Sequence, residues 1–320
     1  MGWIISALLI SGSVWLWVER QYIVDALQYQ SYTPSVAVRD VSTKAGLTDD
    51  ALFTFYATHP SVESGEQFNA NCERKEADSP ILGCYASNRI YIFNITDERL
   101  SGIKAVTAAH ELLHAEYDRL PEAEKRRLKP LLESAYKSGG DAELAERMRY
   151  YEKTEPGESV NELHSIVGTE FATLSPELER YYSKYFKDRQ ALVALHQKVD
   201  ATFEALKAES DSLTRQLEAL SDQIDNKSVS YNQQVTSLNE AVNNFNTRAT
   251  QSDGFTTQAE FQAARQSLIR RSDQLSALRQ EIQADIARYK MLFAKLESIN
   301  SETVSLNKSL DSTLSDVPTI

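Results

Sequence analysis

The chain has 320 residues, of which 42% are hydrophobic and 25% charged, and carries a formal net charge of −12. That length supports one full core and a second body beside it. The acidic balance argues against a nucleic-acid partner, since phosphate binding needs concentrated positive charge.

From Trp3 to Val18 the chain is apolar and uncharged. The run falls slightly short of the roughly 20 residues that a bilayer span prefers. Trp3, Trp15 and Trp17 lie near its ends, where an interfacial belt would place them. A cleaved secretory signal is the rival reading, but it calls for a basic start and a small-residue cleavage site, and neither is visible. The expectation is an N-terminal anchor over residues 1–20, a juxtamembrane connector over 21–46, and a single-pass membrane protein whose body lies on the extracytoplasmic side. Cys72 and Cys84 are the only cysteines. Behind an export signal a disulfide is expected between them; two free thiols are the alternative. A zinc knuckle would need two more ligands nearby, and none is present.

Residues 47–186 read as the next domain. Turn formers (HPSVESG, DSPILG) precede RIYIFNI, Arg89 to Ile95, whose alternation and β-branched content predict a strand. Thr96-Asp-Glu-Arg marks a turn and helix start. Helical spacing then covers 103–119, 121–138, 141–155 and 159–174, with Ser138-Gly-Gly140 as a break, and Pro176 opens PELERYYSKYFKDRQ. From Lys187 to Asn300 there is no proline and only Gly254. Phe261, Leu268, Leu275, Ile282, Tyr289 and Leu296 recur seven apart, with Arg271 and Asp285 interrupting the second seam. Leu192, Val199, Leu206, Leu213 and Leu220 do the same earlier. Sustained heptads predict a coiled coil over 187–300. Thr257-Gln-Ala-Glu260 is a capping box, so ATQSDGFT reads as the tip of an antiparallel hairpin on the order of 60 Å long, at about 1.5 Å per residue. Residues 301–320 are polar, contain Pro318 and are expected to be disordered.

The chemistry-bearing stretch is VTAAHELLHAEY, Val106 to Tyr117. Residues four apart share a helix face, so His110 and His114 can grip one ion, and Glu111 beside it can take a proton from water. The neighbouring alanines and leucines are those of a buried helix, where two unpartnered imidazoles would be costly. The strand RIYIFNI, if it lies at a sheet edge beside this helix, can hold an extended peptide by β-addition.

The segment resembles the active-site helix of the zincin metallopeptidases. After His114 the chain reads AEYDRLPEAEK, without the glycine and third histidine of the metzincin branch, so the likeness is to the gluzincins. That resemblance implies Zn²⁺ as the cofactor, a third ligand from a carboxylate on a later helix, and hydrolysis of a peptide or protein substrate. SVNELHSIVGTEFATL offers Glu162 and Glu170. Asn161-Glu162-x-x-Ser165 is similar to the gluzincin Asn-Glu-x-x-Ser-Asp pattern, with Ile166 in place of the final Asp. Ser159-x-x-Glu162 is also a capping box, which accounts for Glu162 without a metal. Glu170 lies on the apolar stripe of Leu163, Val167 and Leu174 and would need a strong partner there. Small residues beside Glu162, namely Ser165, Thr169 and Thr173, would let two helices approach. His164 is a candidate donor to the developing oxyanion, with Tyr117, Tyr181 and Tyr182 behind it. His59 and His196 read as structural.

The expected fold class is α+β, mostly α, with a small zincin-like domain followed by the coiled-coil hairpin. The expected function is a membrane-anchored zinc metallopeptidase with Glu111 as general base. Its expected partners are a peptide or protein substrate, the membrane through residues 3–18, and a protein partner or second copy at the coiled coil. The alternative is a cell-envelope scaffold or adaptor with a degenerate zincin domain.

Overall fold

A computed structural model describes residues 20–72, 81–154 and 156–313. They divide into two compact units, one holding the described residues up to Phe203 and from Ser305 on, the other spanning Glu204–Val304. The chain is mostly helical, with one small three-stranded sheet. Among the described residues no helix is long and apolar enough to cross a membrane. The expected single-pass membrane location is corrected on that finding. The run Trp3–Val18 lies outside the described residues.

The first unit opens with α1 (Arg20–Ser31), α2 (Val36–Lys44) and α3 (Asp49–Ala57). Ser35 and Thr48 begin α2 and α3 by accepting hydrogen bonds from the amides of Val38 and Ala51. Tyr22 and Tyr29 of α1 pack on Phe53 of α3, with ring centroids 5.5 and 5.3 Å apart. Val38, Val41 and Ala45 fall on one face of α2 and enter the core. Residues 21–46 are therefore part of the folded body, which corrects the expected connector.

β1 (Ser61–Glu63), α4 (Gly65–Asn71), β2 (Gly83–Ala86) and β3 (Arg89–Phe93) follow. The strand order is β1-β3-β2, with β1 parallel and β2 antiparallel to β3. The strand foreseen in RIYIFNI is thus the centre of the sheet and not its edge, because it has a hydrogen-bonded neighbour on each side. β1 is one edge of the sheet and β2 the other. The turn of β2 into β3, Ser87-Asn88, has φ of 51° and 58°, the paired positive angles of a tight hairpin whose twist matches its strands. Cys72, just after α4, forms a disulfide with Cys84 of β2.

A 3₁₀ turn at Glu98–Leu100, capped by Asp97, leads into α5 (Ile103–Arg119), over the span that periodicity predicts. Its residues Ala105, Ala108, Ala109, Leu112, Leu113 and Ala115 are fully buried. α6 (Glu122–Gly139), α7 (Ala142–Thr154), α8 (Ser159–Glu170) and α9 (Pro176–Tyr182) surround it. α8 lies so close to α5 that a Cβ on Gly168 would come within 2.5 Å of Leu113 and 2.7 Å of Tyr182. Ser165 and Thr169 also sit fully buried on this helix, while Thr173 lies beyond its end and is exposed. α8 stops four residues short of the expected Leu174, because Arg189 and Gln190 bond the carbonyls of Phe171 and Ala172 and relieve the helix of continuing.

The PELERYY helix likewise ends early. The chain pairs Phe186 with Leu47 before α10 (Arg189–Ala249) starts, where the Asp188 side chain accepts from the Ala191 amide. α10 is followed by α11 (Gln258–Leu310). In the second unit Asp285 accepts from Gln223 and Lys227, Arg271 donates to Ser237, and Lys295 pairs with Glu209. Phe245, Phe255 and Phe261 cluster around the connecting turn, where Thr257 and Glu260 each bond a backbone amide. The expected disorder from residue 301 is corrected: α11 runs on to Leu310, Leu306 is fully buried, and Ser312 and Asn69 exchange two hydrogen bonds. Nothing in TVSLNKSL breaks a helix, and Leu306 has a core to enter. Residues 314–320 lie outside the described residues.

Candidate metal centre

α5 places His110 and His114 one turn apart, with their Nε2 atoms 3.1 Å from each other. Close packing of α8 brings Glu162, from its first turn, over the same point. The Glu162 carboxylate lies 3.6 Å from His110 Nε2 and 3.5 Å from His114 Nε2. The three side chains form the group able to hold a metal ion. Two ligands about 2.0–2.1 Å from an ion at a tetrahedral angle stand about 3.3–3.4 Å apart, and the three observed separations straddle that value. Glu162 Oε2 is buried with no hydrogen-bond partner, an arrangement that favours a cation.

The orientation of His114 is set from behind. Asn161 donates from Nδ2 to Glu158 at 3.1 Å, which turns its Oδ1 toward His114 Nδ1 at 3.0 Å. An acceptor at Nδ1 keeps the proton there and leaves the Nε2 lone pair facing the cluster. The capping-box account of Glu162 does not hold, since the N-cap of α8 is Glu158, not Ser159, and no side chain caps the helix.

The electrostatics agree with a cation site. Burial works to raise the Glu162 carboxyl, but the two imidazoles outweigh it and hold the group below its ordinary range. Burial works to lower His110, and the Glu162 and Glu111 carboxylates lift it above its usual value. Glu111, only 7% exposed, is pushed up by burial against the pull of both histidines.

The chain finds no match among protein-family models, curated proteins or solved structures.

Glu170 stands apart from the cluster. Arg147 of α7 grips both its oxygens at 3.1 and 3.0 Å, and His196 of α10 lies 3.8 Å away. These are the strong partners its apolar stripe required. His164 has no exposed surface, and its Nε2 bonds the Tyr181 hydroxyl at 2.9 Å. Burial, with His114 nearby, pushes it down to about 3, so it is neutral. A sealed ring cannot meet a substrate oxyanion, which corrects the role expected of His164. Tyr181 and Tyr182 are buried with it, and Tyr117 lies half-buried under Lys125. His59 bonds the Gln28 carbonyl and stacks on Tyr32.

Sequence reasoning missed the strand side of the site. A Cβ on Gly83 of β2 would stand 2.8 Å from Glu111 Oε1, so only glycine fits there. The sequence signal for this was faint: one glycine before Cys84.

Proposed function

We propose that this protein is a zinc-dependent hydrolase that cleaves peptide bonds. The convergence of His110, His114 and Glu162, with Glu111 beside them, carries the reading. Two neutral imidazoles and one carboxylate are a donor set that suits zinc and leaves a position for water. When bound there, zinc supplies Lewis acidity, which makes water more acidic and polarises a carbonyl. Glu111 takes the proton from the attacking water and passes it to the leaving amine. Burial raises its proton affinity, which suits a group that must accept a proton. Asn161 keeps His114 in the ligating tautomer. β2, the edge strand against Glu111, supports an extended peptide as the substrate by offering backbone groups for β-addition.

The second unit supports a further part of this reading, an antiparallel coiled-coil hairpin that engages a protein partner. Its pairs run in opposite directions, Ser237 with Arg271, Lys227 with Asp285 and Glu209 with Lys295. Arg271 and Asp285 interrupt the apolar seam, and each finds a polar partner, which is how such residues set register.

The decisive test is Glu111→Gln in the full chain. The variant should keep one zinc per chain and lose hydrolysis of a peptide library by about a hundredfold or more, the order expected of general-base catalysis. Equal cleavage by variant and wild type, or a wild type that neither takes up zinc nor cleaves, refutes the assignment.

A further inference from the structure

Glu111, Ala115 and Arg119 follow one another at i, i+4 and i+8 of α5, and Thr107 precedes them at i−4, so all four share one face. β2 lies along that face. At one end Gly83 sits against Thr107 and Glu111 with no room for a Cβ. Ala115 in the middle is small and fully buried. At the other end the Arg119 guanidinium donates to the Tyr85 hydroxyl at 3.3 Å and to Asn88 Oδ1 at 3.0 Å. Tyr85 itself bonds Asn88 at 3.0 Å, so the tip of the β2–β3 hairpin closes on the arginine.

The arginine is in turn held from outside the sheet. Asp25 of α1 accepts from its Nε and Nη2 at 2.9 and 2.8 Å, and the Ala115 carbonyl accepts from Nη1 at 2.8 Å. The Asp25 and Arg119 side chains are 4% and 11% exposed. A planar fork with five donors can serve two carboxylate oxygens, a hydroxyl, an amide oxygen and a backbone carbonyl at once. Such a buried pair is weak evidence for stability, since desolvation cancels much of the attraction, but it is strongly directional. What its direction fixes is where β2 lies on α5.

We propose that Arg119, oriented by Asp25, is a positioning residue that sets the register of the edge strand β2 against Glu111 and so places an extended substrate at the metal centre. The kinetic part of this inference rests on the peptidase reading above; the structural part does not. The polar contacts of Arg119 are to Asp25, Tyr85, Asn88 and the Ala115 carbonyl, none of them a residue of the metal centre. It acts through Tyr85, which lies two residues along β2 from Gly83, the residue packed on Glu111.

The test compares the full, disulfide-intact wild type with Arg119→Lys and Asp25→Asn by backbone hydrogen exchange, zinc content and kinetics on a fluorogenic peptide that the wild type cleaves. Lysine keeps the charge but offers a single point of three donors, and so cannot hold both Asp25 oxygens and the hairpin together. In both variants, exchange in residues 83–86 should accelerate while residues 61–63 on the far edge stay protected, and zinc should remain at wild-type content. kcat/KM should fall about tenfold or more, carried mainly by kcat, because misplacing a bound substrate by a fraction of an ångström costs on that order. Tyr85→Phe, which leaves the buried pair intact, should give a weaker form of the same pattern. Unchanged exchange at 83–86, or an equal rise throughout the domain, overturns the positioning role. An unchanged kcat/KM overturns the placement of substrate by β2. If the wild type cleaves no peptide, the peptidase reading fails, and the exchange comparison still decides whether Arg119 holds the strand.

Discussion

Replacing Asn161 with leucine removes the acceptor behind His114 while keeping nearly the same volume. In the native chain His114 Nδ1 lies 3.0 Å from Asn161 Oδ1, and Asn161 is 8% exposed, so water does not readily take its place. Without that acceptor the proton is free to move to Nε2, the ring is free to turn, and both changes work against ligation. Loss of such an outer partner lowers metal affinity by about 10- to 100-fold, or about 1.4–2.7 kcal/mol at about 1.4 kcal/mol per tenfold. A buried donor left unsatisfied costs about 1–3 kcal/mol, which is the same order and sets the ceiling. The other bond of Asn161, to Glu158, contributes little, because Glu158 is exposed and water replaces the donor. Zinc affinity should be read by titration against a chromophoric chelator. Asn161→Leu should bind about 10- to 100-fold more weakly, and Asn161→Asp, which keeps an acceptor, should retain most of the affinity. Wild-type affinity in the leucine variant, or equal losses in both, would refute the idea that an acceptor at Nδ1 orients His114.

Two further outcomes are expected. Glu162→Gln should abolish zinc uptake, whereas Glu170→Gln should keep it and cost only about 1 kcal/mol of stability, since Arg147 is partly exposed and solvent screens its pair; the reverse pattern in elemental analysis would exchange the two roles. In the second unit, a zero-length carbodiimide reagent should join Lys227 to Asp285 or Glu281 within a single chain, as their 2.9 and 3.1 Å contacts imply, and finding only links between chains would refute the hairpin.

Features set by local spacing were readable in the residues themselves. Helix α5 occupies the span that its periodicity marks, and His110, Glu111 and His114 share a neighbourhood because a helix repeats every 3.6 residues. The Cys72–Cys84 pair follows from there being two cysteines and a short loop between them. The long helices α10 and α11 follow from an unbroken run of helix formers.

Choices between equivalent local signals were made by partners distant in sequence. Glu162 and Glu170 are both carboxylates on one helix. They part company because Arg147 of α7 neutralises Glu170, with His196 of α10 beside it, while Glu162 is left facing the two imidazoles. His164 looked like a donor in the pattern, and tyrosines from α9 sealed it away. RIYIFNI was legible as a strand, but its place in the sheet depended on short flanking strands, three residues and four, whose own signal is weak. Residues 21–46 read as a connector because they follow the apolar N-terminal run, and Asp25 makes sense only beside Arg119, 94 positions later. Periodicity is a property of consecutive residues and is written in the chain. Which buried charge meets which counter-charge depends on how the helices pack, and that is settled only when the whole core closes around α5.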